Sequence, residues 1–257
     1  MMMPVDTTAL DKLIQSVNTP TAQVAYQNET IRQKAIKQAA MSYGSQAGLF
    51  WVSQVIDHAL KGMSGYLDRV FVFNRLMLPD HVLPPVLQQA SNTVNVHDSQ
   101  QKIRFVGQQY TIIQRARFAS TAPNWRDYLW MSYQMPELPD ASLLPKNDDE
   151  KTLWEKQLVK AWYLGVNQGK AIFNIQANKL VRDFNGMLLY RRLLLSNMVS
   201  LPYVKHVDSG ITGGPNQMNI DDLTWQITKQ PQLLDNAKLW QPVIERSSKT
   251  RLQACTI

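Results

Sequence analysis

The side chains that could do chemistry are scattered along this sequence rather than grouped. Its histidines are His58, His81, His97 and His206, and no two of them have the spacing of metal ligands. The segment GMSGY places Ser64 between glycines but does not fit the G-x-S-x-G pattern of a nucleophile elbow. The phosphate-binding pattern G-x-x-x-x-G-K-[ST] and the dinucleotide pattern G-x-G-x-x-G are both absent. The sequence therefore predicts no catalytic site, no cofactor and no metal.

Two acid pairs and one glycine-rich loop are weaker candidates for a binding site. Asp148 and Asp149 precede a predicted helix, where their charge suits the positive end of the helix dipole. Asp221 and Asp222 lie in a predicted β region, and neighbours in a strand point to opposite faces, so they could not share a substrate. The loop DSGITGGP, residues 208–215, could bind an anion through backbone N–H groups. A hairpin loop is the alternative, favoured because no helix follows it.

Composition and charge limit the kinds of protein that this chain could be. The chain has 257 residues, of which 44% are hydrophobic and 18% charged, which is enough for a packed core and unlike a disordered chain. The net charge of +7 suits a polyanionic partner, but the basic residues form no run, so we expect no direct nucleic-acid binding. The one cysteine, Cys255, excludes a disulfide within the chain. No apolar run is long enough for a transmembrane helix, and the N-terminus does not read as a signal peptide.

The segment NWRDYLWMSYQ concentrates large aromatic side chains. Trp125, Tyr128, Trp130 and Tyr133 lie within nine residues, with Arg126 among them. One face of a helix cannot hold all of these rings. Aromatic residues and arginine are enriched at the energetic centres of protein interfaces, so the cluster is a candidate docking surface. Burial in the core is the alternative, and the size of the rings favours it.

Two glycine pairs have helical spacing. Gly44 and Gly48 lie in GSQAG, and Gly165 and Gly169 lie in GVNQG. Glycines four residues apart leave a flat groove on one face of a helix, which in bilayers is a dimerisation motif. Both segments are too polar for a lipid environment. The pairs therefore predict that two soluble helices cross closely at these four residues.

Two long helices must position these residues. Apolar spacing predicts the first from Ile31 to about Lys61, ended by Gly62 and Gly65. The second is predicted between Pro145 and Pro202, where a glycine at 186 could interrupt it.

The remaining segments predict a smaller β region. YLDRVFVFNRLML reads as a strand, HVLPPVLQQASN as a connector broken by prolines, and KIRFVGQQYTIIQRARFAS as a hairpin that turns near Gly107. YVKHVDSGITGGPNQMNIDDLTWQIT reads as two strands around a Gly-Gly-Pro loop, and NAKLWQPVI as a short closing helix. The predicted class is α+β, mainly helical, with two long helices packed with a small mixed or antiparallel β region. We expect a single domain over residues 29–245, with flexible tails at 1–28 and 246–257.

Several separate blocks of the sequence match one known family in order. The strongest is APNWRDYLWMSYQMPELPDASLLPKNDDEKTLW, which YLDRVFVFNRLMLPDHVLPPVL precedes. GVNQG, LVRDFNGMLLYRRLLLSNMVS and DSGITGG follow it. Over residues 29–245 the chain resembles the DotC/TraI family of type IVB secretion and IncI-like conjugation systems.

The resemblance implies a structural role without catalysis. Members of the family are outer-membrane lipoproteins that build a ring-shaped core complex with DotD-like and DotH-like partners in the periplasm and outer membrane, and they help to place the DotH-like protein there. The complex conducts DNA–protein substrates in conjugation, or effector proteins in pathogens. The family has an exported N-terminus with an acylated cysteine. This sequence shows neither, so we expect a trimmed chain, a misplaced start or a variant held at the envelope by its partners.

Two other functions stay open at this stage. A periplasmic protein that binds peptidoglycan or another ligand, or that remodels the cell wall, would suit the +7 charge and the Gly-Gly-Pro loop. Direct contact with the transferred DNA is the other, and it would show a steep dependence of affinity on salt.

Overall fold

A computed structural model describes residues 8–15, 31–96 and 103–241 of the chain. The predicted α+β class, with two long helices and a small antiparallel β region, is confirmed. The chain divides into two compact units: unit 1 is Met1–Phe71 with Asn124–Leu180, and unit 2 is Val72–Pro123 with Val181–Ile257. A single domain over residues 29–245 stays a prediction, and the predicted tails fall mostly on residues outside the described ranges.

Unit 1 consists of helices that pack around tryptophan side chains. Its elements are α1 (Thr8–Gln15), α2 (Ile31–Val70), α3 (Trp125–Leu129), a 3-10 turn (Ala141–Leu143) and the first part of α4 (Asp148–Leu195). The core combines residues three or four apart on α2 with residues four apart on α4. These are Ile36, Ala40, Tyr43 and Ala47 on α2, and Trp154, Leu158, Trp162 and Val166 on α4. Two residues within the predicted N-terminal tail, Leu10 and Leu13 of α1, are buried in this core.

The predicted end of the first helix at Gly62 and Gly65 is wrong, because α2 continues to Val70. Neither glycine has the positive φ of a helix C-cap. Leu60 and Leu67 are both buried, seven residues apart, so the buried stripe runs past both glycines. The strand predicted over residues 66–78 is also wrong. The segment begins inside α2, which extends to Val70, and continues as a 3-10 turn at Phe73–Leu76.

The ion pair between Arg32 and Glu150 ties the start of α4 to α2. Arg32 Nε donates to Glu150 Oε1 at 2.8 Å, and Arg32 Nη1 donates to the carbonyl of Ser142 at 2.9 Å. Glu150 also accepts from the Lys146 backbone N–H, while its own N–H is capped by Asn147. The Arg32 guanidinium is the main reason that the pKa of Glu150 lies below its ordinary value.

The described residues of unit 2 form four two-stranded antiparallel ladders. β1 (Val82–Leu83) pairs with β4 (Arg117–Phe118), and β2 (Val86–Val96) pairs with β3 (Ile103–Gln114). The predicted connector over residues 81–92 is therefore wrong, because its two prolines separate two strands and interrupt neither. The predicted hairpin turn at Gly107 is also wrong. Gly107 lies inside β3, between Val106, which pairs with Thr93 of β2, and Gln108, which pairs with Ser91.

The last strands form a two-stranded ribbon around the Gly-Gly-Pro turn, as predicted, except that each arm of the ribbon is divided into two strands. β5 (Tyr203–Asp208) pairs with β8 (Leu223–Lys229), and beyond them β6 (Ile211–Gly214) pairs with β7 (Gln217–Ile220). The Gly-Gly-Pro segment forms the turn between β6 and β7, so the loop itself was predicted in the right place. A 3-10 turn at Ala237–Leu239 lies where a short closing helix was predicted over residues 236–244, and residues 242–244 are outside the described ranges.

The second long helix, α4, is continuous through Gly186, where the sequence allowed a break. A Cβ at this position would lie 2.7 Å from the Leu87 carbonyl oxygen, so the glycine serves close packing against β2. The helix ends at Leu195. Just beyond it, Asn197 has a φ of 54° and the Met198 N–H donates to the carbonyl of Leu193 at 2.9 Å, as in a left-handed helix cap. The core of unit 2 packs around this end of the helix and includes Leu78, Val82, Leu87, Ala116, Tyr190, Leu193 and Val199.

Candidate interaction surfaces

The four glycines of the two pairs lie at one crossing of α2 and α4 within unit 1. A Cβ on any of them would overlap an atom of the facing helix: Gly44, Gly48, Gly165 and Gly169 meet Leu158, Trp162, Ser45 and Val52 respectively. For the first three, the atom that is met belongs to the backbone and cannot rotate away. The four glycines therefore serve the close packing of α2 against α4.

The aromatic cluster begins with a buried anchor. Trp125 is fully buried, and its Nε1 donates to Asp68 Oδ1 at 2.7 Å. The guanidinium of Arg126 lies 4.3 Å above the Trp125 ring and donates through Nη1 to the same carboxylate oxygen at 2.7 Å. Hydrogen bonds from Arg126 and then from Trp125 lower the pKa of Asp68. These contacts join α3 to α2.

The rest of the aromatic cluster lies nearer to solvent. The Trp130 side chain is 41% exposed, and the ammonium of Lys61 lies 5.7 Å from its ring centroid. Tyr128 and Tyr133 are half-buried, and Lys179 lies 5.8 Å from the Tyr128 ring. The cluster thus separates into Trp125 in the core and Trp130 at a surface that also carries cations.

A buried carboxylate that the sequence did not predict lies beside this surface. Asp57 is 7% exposed on the buried face of α2, and its Oδ1 accepts from the Met131 backbone N–H at 3.3 Å. Burial raises the pKa of Asp57 above its ordinary value, against smaller opposing effects from Met131 and Lys61. The sequence did hold a signal, because Asp57 follows Ser53 by four residues and precedes Leu60 by three, and both of these are buried.

We expect Asp57→Asn to stabilise the protein at neutral pH and to have little effect in acid. When folding raises the pKa of a carboxyl group, the folded state holds its proton more tightly than the unfolded state does. The free energy of unfolding therefore falls as the pH rises through the interval between the unfolded and folded pKa values. Asparagine keeps an acceptor for Met131 N–H and carries no charge. Thermal melts of both proteins across the acidic range would test this. A constant difference in melting temperature at every pH would contradict it.

The ribbon of unit 2 exposes an apolar face. Ile211 is paired with Ile220, and Met218 faces Gly213, so these three side chains share one face of β6 and β7. Each is more than 60% exposed. The hydroxyl of Thr212 donates to the Asp222 carboxylate, which places these two residues on the opposite, polar face. Leu223, the neighbour of Asp222, therefore extends the apolar face.

At the base of this ribbon, Trp225 lies between two histidines. Its ring centroid is 4.9 Å from that of His206 and 6.1 Å from that of His81. Nε2 of His206 lies 3.5 Å from Oδ2 of Asp80. Asp80 and His81 have φ values of 61° and 55° in a tight turn, a conformation that Asp and His adopt more readily than most residues.

The other candidate side chains do not converge. Ser64 and exposed His58 lie on α2, and Asp148 and Asp149 lie in the first turn of α4. The loop at 208–215 forms part of the ribbon. His97 and Cys255 lie outside the described residues. Within residues 8–15, 31–96 and 103–241, no group of three His, Cys, Asp or Glu side chains is placed to hold a metal ion.

Comparison with known families decides what kind of protein carries these surfaces. The model of a family described as type IV secretory system, conjugal DNA-protein transfer matches residues 30–242. The chain belongs to this type IV secretory family. This confirms the resemblance to the DotC/TraI family that the sequence showed. No curated protein matches the chain.

The residues matched by the type IV secretory family model include every surface described above. The match begins just before α2 and extends past the last 3-10 turn, so it includes the glycine crossing, the aromatic cluster and the ribbon. No helix in the described ranges is long and apolar enough to cross a membrane.

Proposed function

We propose that this protein is a non-enzymatic structural subunit of the outer-membrane core complex of a type IVB secretion or conjugative transfer apparatus. Its partners are DotD-like and DotH-like proteins, and it supports the transfer of DNA–protein substrates from the periplasmic side of the outer membrane. The match to the type IV secretory family over residues 30–242 carries this proposal. A lipid anchor or the partners themselves hold the protein at the membrane.

The described surfaces support a role in assembly. Large apolar side chains are exposed near Trp130 and on the ribbon face, which consists of Ile211, Met218, Ile220 and Leu223. Exposed apolar patches of this kind are typical of interaction sites. The shifted pKa values of the carboxyl groups of Asp57, Asp68 and Glu150 each have a structural explanation within unit 1. These features suit a protein that works by packing against neighbours.

Deletion of the gene, with complementation, tests this function. We expect the deletion to abolish plasmid transfer while nicking at the transfer origin continues, because a structural subunit removes the conduit and no enzymatic step. A tagged complementing copy should co-purify with DotD-like and DotH-like proteins from solubilised envelopes. Transfer at the normal frequency in the deletion strain would contradict the proposal. So would a tagged copy that binds peptidoglycan sacculi and changes the muropeptide profile without those two partners.

A further inference from the structure

An open cleft in unit 2 combines an acid, aromatic rings and small polar groups. Its volume is about 640 Å³, which is in the range of sites that bind small ligands or single side chains. No lysine or arginine is among the described residues that line it. The lining residues with polar or aromatic side chains are Asn74, Asp80, His81, Ser120, Thr121 and Trp225.

The turn that carries the acid has a backbone conformation with an energetic cost. Asp80 and His81 have φ values of 61° and 55°, and the Val82 N–H donates to the carbonyl of Pro79 at 3.3 Å. A two-residue turn with positive φ at both central positions favours Asn followed by Gly. Asp80 and His81 therefore stand where another pair of residues would form the turn at lower cost. Such strain is often found at ligand sites, and here it places two functional side chains at the cleft.

The carboxylate of Asp80 has capacity for a further hydrogen-bond donor. Nε2 of His206 lies 3.5 Å from its Oδ2, which is longer than an N–H···O hydrogen bond. A carboxylate accepts about four hydrogen bonds, and the Asp80 side chain is 35% exposed. The same His206 ring lies against Trp225, and the His81 ring stacks near it. The cleft thus places an anionic group close to flat aromatic surface, and these two groups together favour a guanidinium.

Unit 1 contains the same combination of groups with a cation in place. The guanidinium of Arg126 lies 4.3 Å from the Trp125 ring centroid, and its Nη1 donates to Asp68 Oδ1 at 2.7 Å. In the cleft of unit 2, Asp80 and Trp225 supply the acid and the indole, and no lining residue supplies the cation. The chemistry that holds Arg126 within the chain would therefore suit a guanidinium that comes from outside it.

We propose that this cleft binds the guanidinium group of an arginine side chain that belongs to another polypeptide. The carboxylate of Asp80 accepts its N–H groups, and its plane lies against the aromatic surface of Trp225 and His81. The hydroxyl oxygens of Ser120 and Thr121 can accept the remaining N–H groups. The inference goes beyond the proposed function, and it does not depend on it, since it concerns recognition of one class of side chain by the isolated protein.

NMR titration of the purified full-length protein tests the proposal. The probe is a blocked pentapeptide with a central arginine between glycines, and its matched control carries citrulline, which has the same shape without the charge. The indole N–H resonance of Trp225 is identified by its loss in Trp225→Phe. We expect the arginine peptide to shift this resonance saturably below about 10 mM, and the citrulline peptide to leave it in place.

Two variants separate recognition by the carboxylate from a general effect of charge. Asp80→Asn should weaken binding roughly fivefold or more, while the turn is kept because asparagine adopts positive φ readily. Asp235→Asn removes an exposed acid of the same unit that does not line the cleft, and it should bind like the parent. Thermal melts verify that both variants are folded, and the citrulline comparison on the parent protein needs no variant.

Four results would overturn the proposal. They are the absence of a saturable shift, equal binding of the citrulline peptide, unchanged affinity in folded Asp80→Asn, and a response at other tryptophans with none at Trp225. The test uses purified protein and needs no transfer apparatus. A failure here therefore leaves the proposed function untouched, and a failure of plasmid-transfer experiments leaves the cleft untouched.

Discussion

Replacing Gly165 by leucine is expected to prevent unit 1 from folding. A Cβ at this position overlaps the carbonyl oxygen of Ser45, and it also lies 2.8 Å from the Ser45 carbonyl carbon and 2.9 Å from the backbone nitrogen of Leu49. All three atoms belong to the backbone of α2, so no rotamer change relieves the overlap. The helices would have to separate and expose the tryptophans between them. We expect a loss of more than about 4 kcal/mol, comparable to the whole stability of many domains.

Circular dichroism melts of the purified protein measure this effect, and Gly62→Ala provides the matched control. Gly62 lies in a long helix of the same unit but has open space around it, so alanine should raise the unfolding free energy by about 0.5–1 kcal/mol. Alanine at residue 165 should already destabilise strongly, because the overlap involves the Cβ itself. An unchanged melting temperature for Gly165→Leu would show that the helices do not cross at this glycine.

Trp125→Ala and Trp130→Ala should separate the two roles of the aromatic cluster. Trp125 is fully buried, and its indole N–H donates to Asp68. Trp125→Ala should lower the free energy of unfolding by about 3–5 kcal/mol, because it leaves a cavity and removes the ring that packs under Arg126. Trp130 is 41% exposed, so its truncation should cost about 1 kcal/mol or less.

The readouts are urea denaturation of the purified variants and plasmid transfer frequency in complemented cells. We expect Trp125→Ala to reduce both stability and transfer, because less folded protein reaches the apparatus. If Trp130 contacts a partner, Trp130→Ala reduces transfer while its denaturation curve stays close to that of the parent. Normal transfer by a stable Trp130→Ala variant would remove Trp130 from the interface and leave the ribbon face as the main candidate.

The long helices and the glycine pairs were accessible from the sequence because their signals are local. Helical spacing between Ile36 and Ala47 reports directly which side of α2 is buried, since side chains three and four residues apart share a face. Glycines four residues apart predict a flat surface for the same reason, since they share one face of the helix and have no side chains. The family resemblance also depended only on the order of short segments. Each of these signals can be read without knowing which distant residue comes close.

The β region and the exposed surfaces were not accessible in this way. Gly107 reads as a turn until β2 supplies its partner strand, and Gly62 reads as a helix end until Leu67 is seen to be buried beyond it. Asp57 has the spacing of a core residue, but only Met131 across the fold shows how its carboxylate is satisfied.

By itself, the sequence determined the helical periodicity, the glycine grooves and the membership of a secretion family. Only the tertiary structure decided that Trp125 is core and Trp130 surface, and that the isoleucines of the ribbon stay exposed. The physical reason is that helix geometry depends on neighbours along the chain. Burial and strand pairing depend on contacts between residues that are far apart in the sequence.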